Sequence, residues 1–159
     1  MLVKGIIDCD FVNYKKPVLT IEFPYCNMKC DKLNGAPVCQ NSTLQKEPNI
    51  EISGEEIWKL YEKNPITKGF CFQGLEPFDS LMDVAELLNF IRRRKNCSDV
   101  IVIYTGYNKG ENFIVENIIR KYHNIIIKWG RYIIGHEPHY DEILGVKLSS
   151  DNQYAEEIK

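Results

Sequence analysis

Val100-Ile101-Val102-Ile103-Tyr104 has no polar side chain before its last position. A strand with one face in water alternates apolar and polar residues. A run that is apolar at every position belongs to a strand covered on both faces, as in the parallel sheets of α/β domains. Thr105-Gly106 ends the run, and residues 111–122 follow with helical periodicity. Ile125-Ile126-Ile127 is a further strand of the same buried kind. Upstream, Lys68 to Gln73 reads as a strand closing on Gly74-Leu75-Glu76-Pro77, and Val18-Leu19-Thr20-Ile21-Glu22-Phe23 as another, stopped by Pro24. Between them Ser53 and Glu56 have capping-box spacing ahead of an Ile57, Leu60, Tyr61 stripe, and Asn64-Pro65 closes that helix. Asp79 is the expected N-cap of a long helix carrying Val84, Leu87, Leu88 and Ile91. The tail from Gly130 is rich in Gly, His and Pro, with a short strand expected near Leu144–Leu148. Strand and helix alternate four times, which predicts a single α/β domain over residues 1–159 with a mainly parallel sheet.

The formal net charge of −2 offers no global electrostatic case for nucleic acid. Arg92-Arg93-Arg94-Lys95 is the only basic cluster, and it closes the long predicted helix, where cations complement the helix dipole. Met1–Ile7 is too short for a secretion signal and runs into Asp8 and Asp10. No apolar run approaches the roughly 20 residues that span a bilayer. A cytoplasmic, membrane-free protein is expected, and six cysteines in that setting are not read as a disulfide framework.

Three of those cysteines are clustered. Cys26-Asn27-Met28-Lys29-Cys30 and then Cys39 place three thiols within fourteen residues, directly after the Val18–Phe23 strand. Three thiolates from one segment suit a soft metal or an iron–sulfur cluster. Three ligands leave a position open for a non-protein group, which chemistry needs and a structural site avoids. Zinc is the alternative. A structural zinc site takes four protein ligands, and none of His123, His136 and His139 has ligand spacing relative to the trio. Cys9, Cys71 and Cys97 are scattered and read as small buried hydrophobes. Ligands of open α/β sheets bind beyond the carboxyl ends of the strands. The cysteine segment, Gly74–Pro77 and Thr105–Tyr107 all fall there, so the topology predicts that they share one rim. Glu76 on that rim is either part of an ordinary turn or a carboxylate placed to receive a ligand ammonium. Thr105 serves either as a helix-start cap or as part of the site.

Taken together these motifs resemble the small radical S-adenosylmethionine activases, of the type that activates anaerobic ribonucleotide reductase. The resemblance runs over nearly the whole chain: Cys26-x-x-x-Cys30, the Cys39-Gln40-Asn41-Ser42-Thr43 stretch, Gly74-Leu75-Glu76-Pro77 against a Gly-Gly-Glu-Pro motif, Tyr104-Thr105-Gly106-Tyr107, Gly130-Arg131-Tyr132 and Ser149-Ser150-Asp151-Asn152-Gln153. It implies a partial β/α barrel and a 4Fe-4S cluster on Cys26, Cys30 and Cys39. It also implies contacts to S-adenosylmethionine around Asn41, Gly74, Glu76, Thr105 and Gly106. The implied activity is reductive cleavage of that cofactor to a 5′-deoxyadenosyl radical, with electrons from a flavodoxin-like reductant. The implied substrate is a backbone glycine of a large glycyl-radical enzyme. Two departures stand out. The gap before Cys39 is eight residues where the family has two, and it contains Asn34, Gly35 and Pro37. Lengthening a loop costs only roughly 0.6 kcal/mol per doubling, so three-cysteine ligation remains available. Leu75 replaces a glycine, which signals either altered cofactor contact or a rearranged turn. Two other readings follow: the same cofactor chemistry on a peptide or small molecule, or a non-catalytic iron–sulfur or zinc-binding partner subunit.

Overall fold

The computed structural model describes residues 1–158. In chain order the elements are β1 (Leu2–Val3), β2 (Gly5–Asp10), β3 (Val18–Phe23), α1 (Lys29–Asn34), α2 (Ser42–Lys46), β4 (Ile50–Glu51), α3 (Gly54–Lys63) and β5 (Gly69–Gly74). There follow α4 (Leu81–Asn89), β6 (Val100–Tyr104), α5 (Phe113–Ile119), β7 (Ile125–Trp129), β8 (His139–Asp141), β9 (Val146–Leu148) and β10 (Tyr154–Ile158). The main sheet has the order β10-β7-β6-β5-β3-β2. Its four central strands are parallel, and both edge strands, β2 and β10, are antiparallel to their neighbours. The sheet is therefore mixed, with the predicted parallel part at its centre. Among the described residues no helix is long and apolar enough to cross a membrane.

The strands β3, β5, β6 and β7 follow one another in space as they do in sequence. Right-handed crossovers in an unreversed order place their helices on one face. Accordingly Ile57 and Tyr61 of α3, Leu87 and Leu88 of α4, and Val115 and Ile119 of α5 pack with Ile21, Phe70, Phe72, Ile101, Ile103 and Ile127 in one core. Alternate residues, Val18, Cys71, Val100, Val102 and Ile126, face the other way, onto Tyr14, Leu144, Leu148 and Ala155. The sheet is covered on both faces, as the unbroken apolar runs require. Its second cover is the turn carrying Tyr14 and the β8–β9 hairpin with Leu144 and Leu148, instead of helices.

Local expectations meet the structure unevenly. The capping box at Ser53 and Glu56 is formed, and Asn64 ends α3. Asp79 does not cap the next helix: Pro77–Asp79 is a separate 3₁₀ turn, Ser80 precedes α4, and the Asp79 carboxylate is engaged elsewhere. The basic run closes the long helix as expected, through a π-helical turn at Phe90–Arg94 that continues α4. Arg93 and Arg94 are exposed, whereas Arg92 is buried, donating to the carbonyls of His123, Cys97 and Asn124. Of the scattered cysteines Cys71 is buried, whereas Cys9 and Cys97 are half-exposed. The segment after Pro24, expected as a loop, contains the short helices α1 and α2.

Candidate metal centre

At the carboxyl ends of the parallel strands lies a cavity of about 350 Å³. Cys26, Cys30 and Cys39 all line it, as do Asn41, Gly74, Glu76, Thr105 and Gly106. The three cysteines and the five residues expected around the cofactor thus stand on the walls of the same space. Lys128 and Arg131, at and just beyond the end of β7, and Gln153 are among its other polar lining residues.

The cysteine segment is tied to the strand ends by Asp79. Its carboxylate accepts the Asn27 amide at 2.9 Å and the Tyr107 hydroxyl at 2.6 Å, and Asn27 Nδ2 donates to that hydroxyl at 2.9 Å. Met28 adopts the left-handed conformation at φ 55°, and its amide donates to Cys26 Sγ at 3.3 Å. At the next residue α1 begins, and it brings Cys30 to the cavity. Asn34 anchors that helix, donating to the carbonyls of Cys30 at 2.7 Å and Tyr132 at 3.0 Å, and accepting the Ile134 amide at 2.8 Å.

Glu76 joins two strand ends. Oε1 accepts from the Phe78 amide at 3.0 Å and the Thr105 hydroxyl at 2.7 Å, and Oε2 from the Gly106 amide at 2.8 Å. A carboxylate has about four acceptor sites, so about one is left to face the cavity. Burial pushes its pKa up to about 7 against the pull of those three donors. Thr105 is fully engaged: it donates to Glu76 and accepts the Tyr107 amide at 3.1 Å. Its local role is to join the turns. Gly74 presents its carbonyl, which accepts Asn41 Nδ2 at 2.6 Å. Leu75 has an ordinary negative φ, and its amide bonds the Phe23 carbonyl at 3.1 Å. A glycine is therefore not required of the backbone there, and the leucine is accommodated without strain. Gly106 is different. A Cβ there would lie 3.2 Å from Arg131 Cγ, 3.4 Å from Glu76 Oε2 and 3.9 Å from Cys30 Sγ. A side chain there would press on Arg131 and meet Glu76 and Cys30 at ordinary contact distance.

Lys128 was not singled out, although a lysine inside Ile125-Ile126-Ile127-Lys128-Trp129 is a visible anomaly. It is buried, and Nζ donates to the Gly130 carbonyl at 2.8 Å. Burial lowers its pKa to about 8, against the attraction of Glu76 and Cys30 nearby. Arg131 forms a two-pronged pair with Glu111, at 2.8 and 2.9 Å, and Lys29 of α1 joins the same carboxylate. The histidines stay outside: His136 pairs with Asp151.

The donor set suits an iron–sulfur cluster. Among the described residues no three His, Cys, Asp or Glu side chains gather closely enough to hold a single metal ion. The three thiols instead rim a volume. Burial raises the pKa of Cys26 to about 11 and raises that of Cys30, where a backbone hydrogen bond from Tyr132 and the charges of Arg131 and Lys128 pull the other way. Metal-free, Cys26 is a neutral thiol at pH 7, so iron must displace its proton on binding. A thiolate cluster is anionic, and Lys128 and Arg131 supply compensating charge where water is scarce.

Comparison with curated proteins and with solved structures found no match. A family profile, that of the 4Fe-4S single cluster domain, matches residues 18–153, from the start of β3 to a glutamine that lines the cavity. With the match covering most of the chain and the three thiols on one cavity, this protein belongs to the 4Fe-4S single cluster domain family.

Proposed function

We propose that the protein is a radical S-adenosylmethionine enzyme that installs a glycyl radical on a large partner, of the anaerobic ribonucleotide reductase type. The observation that carries this reading is the single cavity shared by Cys26, Cys30 and Cys39 and the Gly74–Glu76 and Thr105–Gly106 turns. Three cysteines leave one iron of a 4Fe-4S cluster without a protein ligand, and about 350 Å³ lies within the range of small-molecule sites. When bound, the cluster supplies one-electron cleavage of S-adenosylmethionine to methionine and a 5′-deoxyadenosyl radical, with a flavodoxin-like protein as electron source. The chain's own residues hold and enclose. Asp79 and Asn34 fix the cysteine segment, Glu76 clamps two strand ends together, and Lys128 offers a buried cation to an anionic group in the cavity.

Four parallel strands wound in one direction, with their helices on one face, support reading the sheet as part of a partial barrel. A complete barrel typically takes about 250 residues, so a sheet of this length stays open at its side. An open side suits a polypeptide loop as substrate better than a closed pocket would.

Anaerobic loading with iron and sulfide, followed by dithionite and S-adenosylmethionine, tests the reading through 5′-deoxyadenosine release. Wild-type protein should form it, and Cys26→Ala, Cys30→Ala and Cys39→Ala should not. With a glycyl-radical partner added, product that forms while the partner acquires no glycyl radical in its electron paramagnetic resonance spectrum would move the substrate to a peptide or small molecule. A stable cluster that never cleaves the cofactor, with or without a partner, would leave a non-catalytic subunit.

A further inference from the structure

The eight residues between Cys30 and Cys39 return the chain to the cavity by a specific device. Asp31 stands directly after Cys30, in the first turn of α1. Its Oδ1 accepts two amides from the far end of the loop, that of Val38 at 2.9 Å and that of Cys39 at 2.8 Å. The Asp31 carbonyl also accepts the amide of Gly35, which ends α1 in the left-handed conformation at φ 62°. Gly35 stops the helix, and the side chain of Asp31 gathers the returning end of the loop. Beyond Cys39 the chain is held again, by Asn41 on the Gly74 carbonyl.

We propose that Asp31 is the positioning residue for the third cluster ligand: it closes the inserted loop and sets where the Cys39 thiol stands relative to Cys30. This rests on the reading of Cys26, Cys30 and Cys39 as the ligands. A loop closed only at its ends would leave Cys39 to wander. A carboxylate bonded to the Cys39 amide fixes that residue's backbone against the helix that carries Cys30. The inserted residues can then bulge outward without moving the ligand, and a Cβ at Gly35 would meet nothing within 4 Å. Both bonds fall on a single oxygen, so the role needs an acceptor and not a charge. An asparagine can supply the same acceptor; an alanine cannot.

The test compares wild type, Asp31→Asn and Asp31→Ala in two arms. In the metal-free proteins, iodoacetamide alkylation is followed cysteine by cysteine by mass spectrometry. Asp31→Ala should speed Cys39 relative to Cys26 by roughly tenfold, the factor that matches the net worth of about one hydrogen bond. Asp31→Asn should leave the ratio unchanged. In the second arm the proteins are loaded anaerobically, and iron per chain and the electron paramagnetic resonance spectrum of the reduced cluster are measured. Asp31→Ala should hold less iron and give an altered spectrum, and Asp31→Asn should match wild type. An unchanged Cys39 rate and an unchanged spectrum in Asp31→Ala would overturn the role of Asp31 while leaving the ligands in place. Equal damage from Asp31→Asn would also overturn it, because the charge would then matter and not the acceptor. Wild-type protein that takes up no iron would remove the ligand reading itself, whatever the alkylation pattern.

Discussion

Gly74 and Gly106 look alike in the sequence and do different work. A Cβ on Gly74 would fall 2.7 Å from Glu22 Cα and 2.8 Å from the Phe23 amide nitrogen, and its φ is +99°. Nothing flexible is in the way there, only the backbone of β3. Gly74→Ala should therefore lower the urea midpoint sharply, by roughly 2 kcal/mol or more of stability. At Gly106 the nearest atom, 3.2 Å away, belongs to the side chain of Arg131, which can yield. Gly106→Ala should stay folded, with a midpoint close to wild type, and lose cluster content instead. Equal loss of stability in the two variants would show that Gly106 is structural too. Glu111 carries a pH prediction. Its hydrogen bonds from Arg131 outweigh partial burial and hold its carboxyl down at about 2, from an ordinary 4.5. A depressed carboxyl contributes stability above its unfolded pKa and loses it as pH falls through the folded value. The difference in urea midpoint between wild type and Glu111→Gln should be constant above pH 4.5 and shrink between there and pH 2. A difference that does not change over that window would mean that the pair with Arg131 contributes nothing. What the sequence could not disclose at this scale is pairing. Glu76 was identifiable as a carboxylate at a strand end, but its partners Thr105 and Gly106 lie about thirty residues away, and only the register of β5 on β6 brings them together.

Elements were legible where a local rule dominates. Strands β3, β5, β6 and β7 are apolar at almost every position because they are buried on both faces, and that pattern needs no neighbour to interpret. Strands β2 and β10 sit at the edges, pair antiparallel and expose part of their length, so Gly5–Asp10 and Tyr154–Ile158 carry no comparable signal. The π-helical turn at Phe90–Arg94 was likewise silent, since two of the three carbonyls that take the Arg92 guanidinium, those of His123 and Asn124, lie far along the chain. The Ser53 box, in contrast, is wholly local. The Ser53 hydroxyl accepts the Glu56 amide at 3.2 Å, and Glu56 Oε2 accepts the Ser53 amide at 2.8 Å. Ser53→Ala should cost about 1 kcal/mol, read as a shift in the urea midpoint with an unchanged slope. Because α3 packs Ile57 and Tyr61 on the face of the sheet away from the thiols, the same variant should load iron as wild type does. A loss of iron at equal stability would mean that α3 influences the cavity through the sheet.

At the scale of the molecule, the core and the candidate cluster segment are separable. The sheet and α3 to α5 enclose a continuous apolar core, whereas none of the residues of α1 or α2 is buried. The segment from Cys26 to Lys46 is held by hydrogen bonds and not by apolar packing: Asn27 to Asp79, Asn34 to Tyr132, Asn41 to Gly74. Such contacts are the first to open in local fluctuations, and a ligand that binds across them stabilises what it bridges. Metal-free protein should therefore keep the cooperative unfolding of its sheet while the amides of residues 26–46 exchange rapidly with solvent. Loading with iron and sulfide should slow exchange in that segment by orders of magnitude and leave β5, β6 and β7 unchanged. Hydrogen exchange followed by mass spectrometry reads both regions in one experiment. Collapse of the whole sheet on iron removal would assign the cluster a structural role, as in domains that fold around their metal. Protection confined to residues 26–46 would match a chain whose fold is complete without its cluster and whose strand ends are the platform on which the cluster is held.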